Sequence, residues 1–228
     1  MRIVLFGDSL TWGGYGGSYA AELARLMPEH TFINAGEGGN TAINLLRRFE
    51  RDVLSEKPDA VFIMVGGNDA ISFHQPATRS YYTRVQKIDD GMVTPDQFET
   101  AYRDLLTQCH LAHLLTWVGL EPLEYSPMLV DAMRDYNARA ASAARTLNIP
   151  TLDLLEAMLN ADALRDRDPI TVDFILTIGQ REKQGWTDYD RVRLRDGFTY
   201  TFDGVHVTPA GAISMAHLIA DFINQHLR

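Results

Sequence analysis

Hydrophobic and polar positions fall into two alternating patterns along this chain: short unbroken apolar runs, and longer stretches whose apolar residues recur at helical intervals. The segments Ile3 to Phe6, Thr31 to Asn34, Asp59 to Val65, Leu114 to Leu120 and Ile149 to Leu154 have the length and residue types of strands in a buried parallel sheet. Between them, Ser18 to Met27 and Thr41 to Leu54 carry helical spacing. Thr94-Pro95-Asp96-Gln97 reads as a helix start: Thr94 caps, Pro95 sits in the first turn and Gln97 closes a capping box. That helix is expected to run to about Leu111, and one after Pro127 to about Leu147. Thr208 and Pro209 open a last helix, with Ala212, Met215, Ile219, Phe222, Ile223 and Leu227 on one apolar stripe. Strands alternating with helices predict a doubly wound parallel sheet with right-handed crossovers.

Two stretches break the alternation. Residues 70–93 are mixed and aromatic, with Asp90-Gly91 as a tight turn. In residues 160–202, Ile170, Val172, Phe174, Leu176 and Ile178 repeat with period two, and Asp196-Gly197 separates Arg191–Arg195 from Phe198–Phe202. This predicts an inserted β-ribbon whose hairpin sets Arg195 opposite Phe198, Arg193 opposite Tyr200 and Arg191 opposite Phe202. Such a face suits cross-strand packing or an isologous dimer contact better than a substrate's acidic or aromatic group. Leading directly to Asp203, the ribbon is also expected to border the functional cleft.

Composition narrows the function. The chain has 228 residues and 46% hydrophobic content, which fits one domain with a substantial core. Its net charge is -9 and no basic run is free of acids, which argues against nucleic acid and membrane-surface partners and for a small molecule. The lone Cys109 cannot form an intramolecular disulfide. No stretch has the length of a membrane span or of a signal-peptide core, so the expected location is cytoplasmic. Gly13-Gly14-Tyr15-Gly16-Gly17 is a turn rather than a dinucleotide fingerprint, because Tyr19 stands where a third glycine is needed.

The candidate chemistry sits after the strands. Gly7-Asp8-Ser9-Leu10 follows the first, and a serine there, at the start of a helix, lies near unpaired N–H donors suited to an oxyanion. Ser9 is the candidate nucleophile. It needs a base and a partner that fixes the base's tautomer, and Asp203-Gly204-Val205-His206 supplies an imidazole with a carboxylate three residues away. The loop after the second strand offers the Gly39 N–H, that after the third the Asn68 amide, and with the Ser9 N–H these make a three-donor oxyanion hole.

Taken in order, these blocks resemble the SGNH hydrolase family, also called GDSL esterases or lipases. Gly7-Asp8-Ser9-Leu10 is similar to its first block, Asn34–Thr41 to its second, Gly66-Gly67-Asn68-Asp69 to its third and Asp203-Gly204-Val205-His206 to its last. The resemblance implies a flavodoxin-like three-layer α/β/α fold with a five-stranded parallel sheet, one domain over 1–228, and insertions at about 70–93 and 160–202. It implies a carboxylic-ester hydrolase working through acyl-Ser9, with His206 as base, Asp203 as its partner, and Ser9, Gly39 and Asn68 as oxyanion donors. Gly38 is adjacent to Gly39 and leaves that register open. The site is expected to need no metal or cofactor. An acyltransferase or carbohydrate deacetylase, a lysophospholipase or thioesterase, and a fold that binds without turnover are the alternatives, because specificity resides in variable loops. Asp8, Trp12 and Tyr15 are the candidate substrate-binding residues, although Asp8, like Asp69, equally suits its turn, and Trp12 and Tyr15 equally suit a core beneath the glycine loop. His110 and His113 could share one helix face but have no accompanying Cys or carboxylate pattern of a metal site, and His74 reads as an exposed imidazole more readily than as a residue lining the cleft.

Overall fold

The structure is a computed structural model that describes residues 1–227. In chain order its strands and α-helices are β1 (Arg2–Gly7), α1 (Ser9–Trp12), α2 (Tyr19–Leu26), β2 (Thr31–Gly36), α3 (Ala42–Asp52), β3 (Ala60–Met64), α4 (Gly67–His74), α5 (Arg79–Tyr81), α6 (Pro95–Leu111), β4 (Leu115–Leu120), α7 (Pro127–Thr146), β5 (Thr151–Asp153), α8 (Leu154–Met158), α9 (Val172–Lys183), α10 (Tyr189–Asp196) and α11 (Pro209–His226).

All strand pairings in the sheet are parallel and the order is β2-β1-β3-β4-β5. Strand alternation divides the core. Val4, Phe6, Val61 and Ile63 point to one face, where Leu45 and Phe49 of α3, Leu105 of α6 and Met133 of α7 pack on them. Ile3, Leu5, Phe62 and Trp117 point to the other, against Leu23 of α2 and Met215 and Ile219 of α11. This is the expected three-layer α/β/α architecture. Burying each of these large side chains contributes ~1.5–3 kcal/mol, so the central strands β1 and β3, buried on both faces, are the firmest platform the molecule has. From β1 the chain runs to β2 on one side and β3 lies on the other. Strand order thus reverses beside β1, leaving a crevice at the strands' carboxyl ends.

The helix caps follow the residues. Thr94 and Gln97 form the expected capping box, and Thr208 accepts from the Gly211 N–H at the start of α11. Asp90 and Gly91 both take positive φ, as a tight turn requires.

The β-ribbon expected over 160–202 is not present: the segment is helical, carrying α9 and α10. Ile170, Phe174 and Ile178 also recur every four residues, and with Ile175 they turn inward while Leu176 is 48% exposed. A spacing of four suits a helix as well as a strand, and α9 carries it as a helix with Phe174 and Ile178 facing the cavity. Asp196-Gly197 is accordingly a helix end. Only Gly197 has positive φ, and the Phe198 N–H bonds the Arg193 carbonyl across it, as in a glycine-capped helix terminus. The facing row of guanidinium and aromatic groups therefore does not form. Arg193 and Arg195 pair with Asp190 and Asp196, and it is Arg167 that stacks over Phe198, at 3.8 Å.

Candidate active site

Three loops deliver the candidate residues to the carboxyl ends of β1, β2 and β3. Ser9 opens α1, and Asp8 caps it, Oδ1 accepting from the Leu10 N–H at 3.0 Å. A short antiparallel bridge, Thr201 to Val207, closes the loop that carries Asp203 and His206. Within it His206 Nε2 lies 3.0 Å from Ser9 Oγ, and His206 Nδ1 lies 2.7 Å from Asp203 Oδ2. Asp203 Oδ1 accepts from the N–H groups of Val205 (2.9 Å) and His206 (2.6 Å). One carboxylate thus shapes the turn and orients the ring. The imidazole is held between Phe202, stacked at 6.0 Å, and Tyr15, edge-on at 5.0 Å.

Ser9 and His206 are only 6% and 8% exposed. They border a cavity of about 90 Å³ that Tyr15, Gly38, Gly39, Asn68 and Tyr82 also line. Ile170, Phe174, Ile175 and Ile178 roof it, so the segment read as a ribbon does border the cleft, as a helix. Among the described residues, neither the Ser9 nor the Gly39 N–H has a hydrogen-bond acceptor. Both Gly38 and Gly39 line the cavity, and Gly39 has the positive φ. Across the Phe174–Ile178 wall lies a wider groove of about 790 Å³ that reaches Asp203 and is lined by Arg167, Arg181, Arg195 and several aspartates.

Two of the three candidate substrate-binding residues lie elsewhere. Asp8 is buried behind the cavity, where its Oδ2 accepts from Asn68 Nδ2 at 2.7 Å. Trp12 is 40% exposed and packs on Gly14 and Tyr15 outside the cavity lining. Tyr15 alone of the three faces it. Asp69 caps α3 from outside that helix, both carboxylate oxygens accepting from the Ala42 N–H at 3.1 Å. His74 packs edge-on against Phe73 and Tyr136.

Several residues that support the site carry no local signature. Arg48, buried in α3, donates to the Gly7 carbonyl (2.7 Å), the Ala35 carbonyl (2.8 Å) and Asn40 Oδ1 (2.8 Å), tying the ends of β1 and β2 to the Gly38–Gly39 loop. Glu124 is buried and accepts from the N–H groups of Thr199, Tyr200 and Thr201 and from the Thr201 hydroxyl, anchoring the segment that leads into Asp203. Glu121, also buried, accepts from the Gly67 N–H at 2.7 Å and hydrogen bonds Asp8. Two glutamates within Leu120-Glu121-Pro122-Leu123-Glu124, directly after a buried strand, are the one sequence signal that points to them.

Burial raises the Asp8 carboxyl above its ordinary range and raises Glu121 well above it, the Asp8 charge adding to desolvation at Glu121. Burial beside the Asp8 charge therefore favours the protonated form of Glu121. A carboxyl whose pKa rises on folding stabilises fully below its unfolded value of about 4.3, and that contribution is lost as pH rises toward the folded value. Glu121→Gln keeps an acceptor for Gly67 and a donor for Asp8 without the titration. Thermal melts between pH 5 and 9 are expected to show wild-type stability declining with pH and a flatter profile in the variant. Equal slopes would place the proton elsewhere.

Comparison with known proteins agrees with this architecture. The sequence pattern of the GDSL-like lipase/acylhydrolase family matches residues 5–212. An acetylxylan esterase of Geobacillus stearothermophilus is 35% identical over 125 residues, 47% of this chain and 53% of that protein, so the match spans about half the length of the relative. The crystal structure of an acetylxylan esterase from the same organism superimposes with a TM-score of 0.65 at 21% identity, covering 97% of this chain and 93% of that one. A lipase/acylhydrolase from Enterococcus faecalis superimposes with a TM-score of 0.65 at 22% identity, covering 99% and 96%. At these identities the superpositions show the fold.

Proposed function

The chain belongs to the GDSL-like lipase/acylhydrolase family, and from that premise we propose that it hydrolyses carboxylic esters of short acyl groups through an acyl-Ser9 intermediate. The observation that carries the reading is the continuous hydrogen-bonded line from Asp203 through His206 to Ser9 Oγ, with bonds of 2.7 and 3.0 Å, opening on a cavity that Gly39 and Asn68 border.

In this mechanism His206 Nε2 takes the Ser9 proton as Oγ attacks the ester carbonyl carbon. The charge that develops on the carbonyl oxygen is met by the N–H groups of Ser9 and Gly39 and by Asn68 Nδ2. Asp203 stabilises the imidazolium and holds the tautomer whose Nε2 is free to accept. Collapse breaks the bond to the alcohol oxygen, which leaves with the proton from His206. Water then attacks the acyl-serine with the same base, releasing the acid and restoring Ser9. Ser9, Gly39 and Asn68 follow three strands of one sheet, the Asp203–His206 loop meets them at Ser9, and we treat residues 1–228 as one catalytic domain acting on a small-molecule ester.

Size supports the acyl assignment. A cavity of about 90 Å³ is small beside the ~300–1,000 Å³ of pockets that enclose drug-sized ligands. The wider groove beyond Phe174 and Ile178, with charged donors and acceptors and the ring of Phe198, favours a hydroxyl-rich alcohol portion, and the relative's substrate class makes an acetylated carbohydrate the second test. In a series of p-nitrophenyl esters from acetate to decanoate, kcat/KM is expected to peak at acetate or propionate and fall steeply beyond butyrate. Acetylated oligosaccharides are expected to be deacetylated as well. A maximum at octanoate or decanoate would overturn the short-acyl reading.

A further inference from the structure

We propose that Tyr82 is a positioning residue for the Asn68 amide, and that the turn carrying it, Tyr81 to Gln86, sets the Gly39 donor at the same time. The inference rests on the ester-hydrolase reading above. The turn lies in the stretch that looked, by sequence, like an insertion between the third strand and the Thr94 cap.

An asparagine amide presents one carbonyl oxygen and two N–H groups. Asn68 has both ends of its amide held. The Tyr82 hydroxyl lies 2.9 Å from Asn68 Oδ1, and because that oxygen can only accept, Tyr82 is the donor. At the other end Nδ2 donates to Asp8 Oδ2 at 2.7 Å. One Nδ2 hydrogen remains for the cavity that Ser9 shares. The carboxylate forbids the flipped amide, which would set Oδ1 against it. The tyrosine fixes the tilt and, by withdrawing density through Oδ1, strengthens the remaining N–H as a donor. Tyr82 is 1% exposed, and burial together with the negative groups around it keeps its hydroxyl protonated well beyond the ordinary tyrosine range. It therefore stays a donor wherever the enzyme works.

The same turn bears on the second donor. Gln86 Nε2 donates to the Gly38 carbonyl at 3.0 Å, Gln86 Oε1 accepts from Asn40 Nδ2 at 3.2 Å, and the Gln86 carbonyl accepts from Asn44 Nδ2 at 2.8 Å. Gly39 sits against this turn so closely that a Cβ there would lie 2.4 Å from the Tyr81 hydroxyl and 2.5 Å from Gln86 Nε2. Tyr82–Gln86 is wound as a π-helical turn, a rare form that is frequent at functional sites. One short segment thus aligns donors that come from the loops of two different strands.

The test is a double-mutant cycle on p-nitrophenyl acetate, with Ser9→Ala as the background control. Asn68→Ala is expected to lower kcat ~10²–10³-fold, the usual effect of losing one oxyanion donor. Tyr82→Phe removes only the hydroxyl and is expected to lower kcat about tenfold with KM within about twofold, but to have no further effect in the Asn68→Ala background, because it acts through that amide. Gln86→Met, acting through Gly39, is expected to lower kcat in both backgrounds. Unchanged kcat in Tyr82→Phe, or an equal fall with and without Asn68, overturns the positioning role. So does a Tyr82→Phe chain that does not fold, which would assign the hydroxyl to stability. Unchanged kcat in Gln86→Met overturns the part concerning Gly39. Wild-type activity that survives in Ser9→Ala overturns the acyl-Ser9 mechanism, and no wild-type activity on any ester overturns the ester-hydrolase reading itself, whereas an active, Ser9-dependent enzyme with an uncoupled cycle overturns only this proposal.

Discussion

Ser9→Ala is expected to lower kcat for ester hydrolysis by ~10⁶-fold, the scale seen when the nucleophile of a serine hydrolase is removed, while circular dichroism and melting temperature stay close to wild type. The fold should tolerate the change because Ser9 is not the residue that caps α1. Asp8 does that, and the Ser9 hydroxyl bonds His206. His206→Ala should give a loss of similar size, and the double variant little more, because the two groups act as a unit. A fluorophosphonate probe should label the wild type at Ser9 and leave the alanine variant unlabelled. Folded Ser9→Ala protein that still turns over esters would remove Ser9 from the mechanism.

Asp203→Asn should lower kcat by about 10⁴-fold, as the corresponding change does in serine proteases. The geometry gives the reason. The Asn carbonyl oxygen can replace Oδ1 as acceptor for the Val205 and His206 N–H groups, so the turn should hold. The Asn amide nitrogen then stands where Oδ2 faces His206 Nδ1 and donates to it. That forces the proton onto Nε2, which now points an N–H at Ser9 Oγ and cannot accept its proton. The measurement is kcat with p-nitrophenyl acetate in protein whose melt matches wild type. A fall of less than tenfold would mean that the carboxylate shapes the loop without setting the tautomer.

Both predictions concern residues that were legible without coordinates, and the supporting residues were not. Gly7-Asp8-Ser9-Leu10 announces itself because an apolar strand ends abruptly in polar residues. Asp203 and His206 are three residues apart, so a single turn brings them together. Tyr82 and Asn68 are separated by a helix and an irregular segment, and nothing in Tyr81-Tyr82-Thr83 distinguishes a ring that meets an amide from one that fills a core. Arg48 and Glu124 are likewise ordinary charged residues until the packing shows what their buried charges hold.

By itself, then, the sequence determined the five strands, the capped helices and the order of the candidate catalytic blocks, because strand burial, capping and tight turns depend on residues within a few positions of one another. Only the tertiary structure decided that the stretch after Ile170 winds into α9 and α10 with α9 bordering a small cavity, that Asp8 and Trp12 stand outside that cavity, and that Tyr82 and Gln86 bond the Asn68 amide and the Gly38 carbonyl at its rim. Those outcomes depend on what lies across the gap: a segment whose apolar spacing suits either a strand or a helix takes the form its packing favours, and a buried polar group takes its role from the partner that satisfies it.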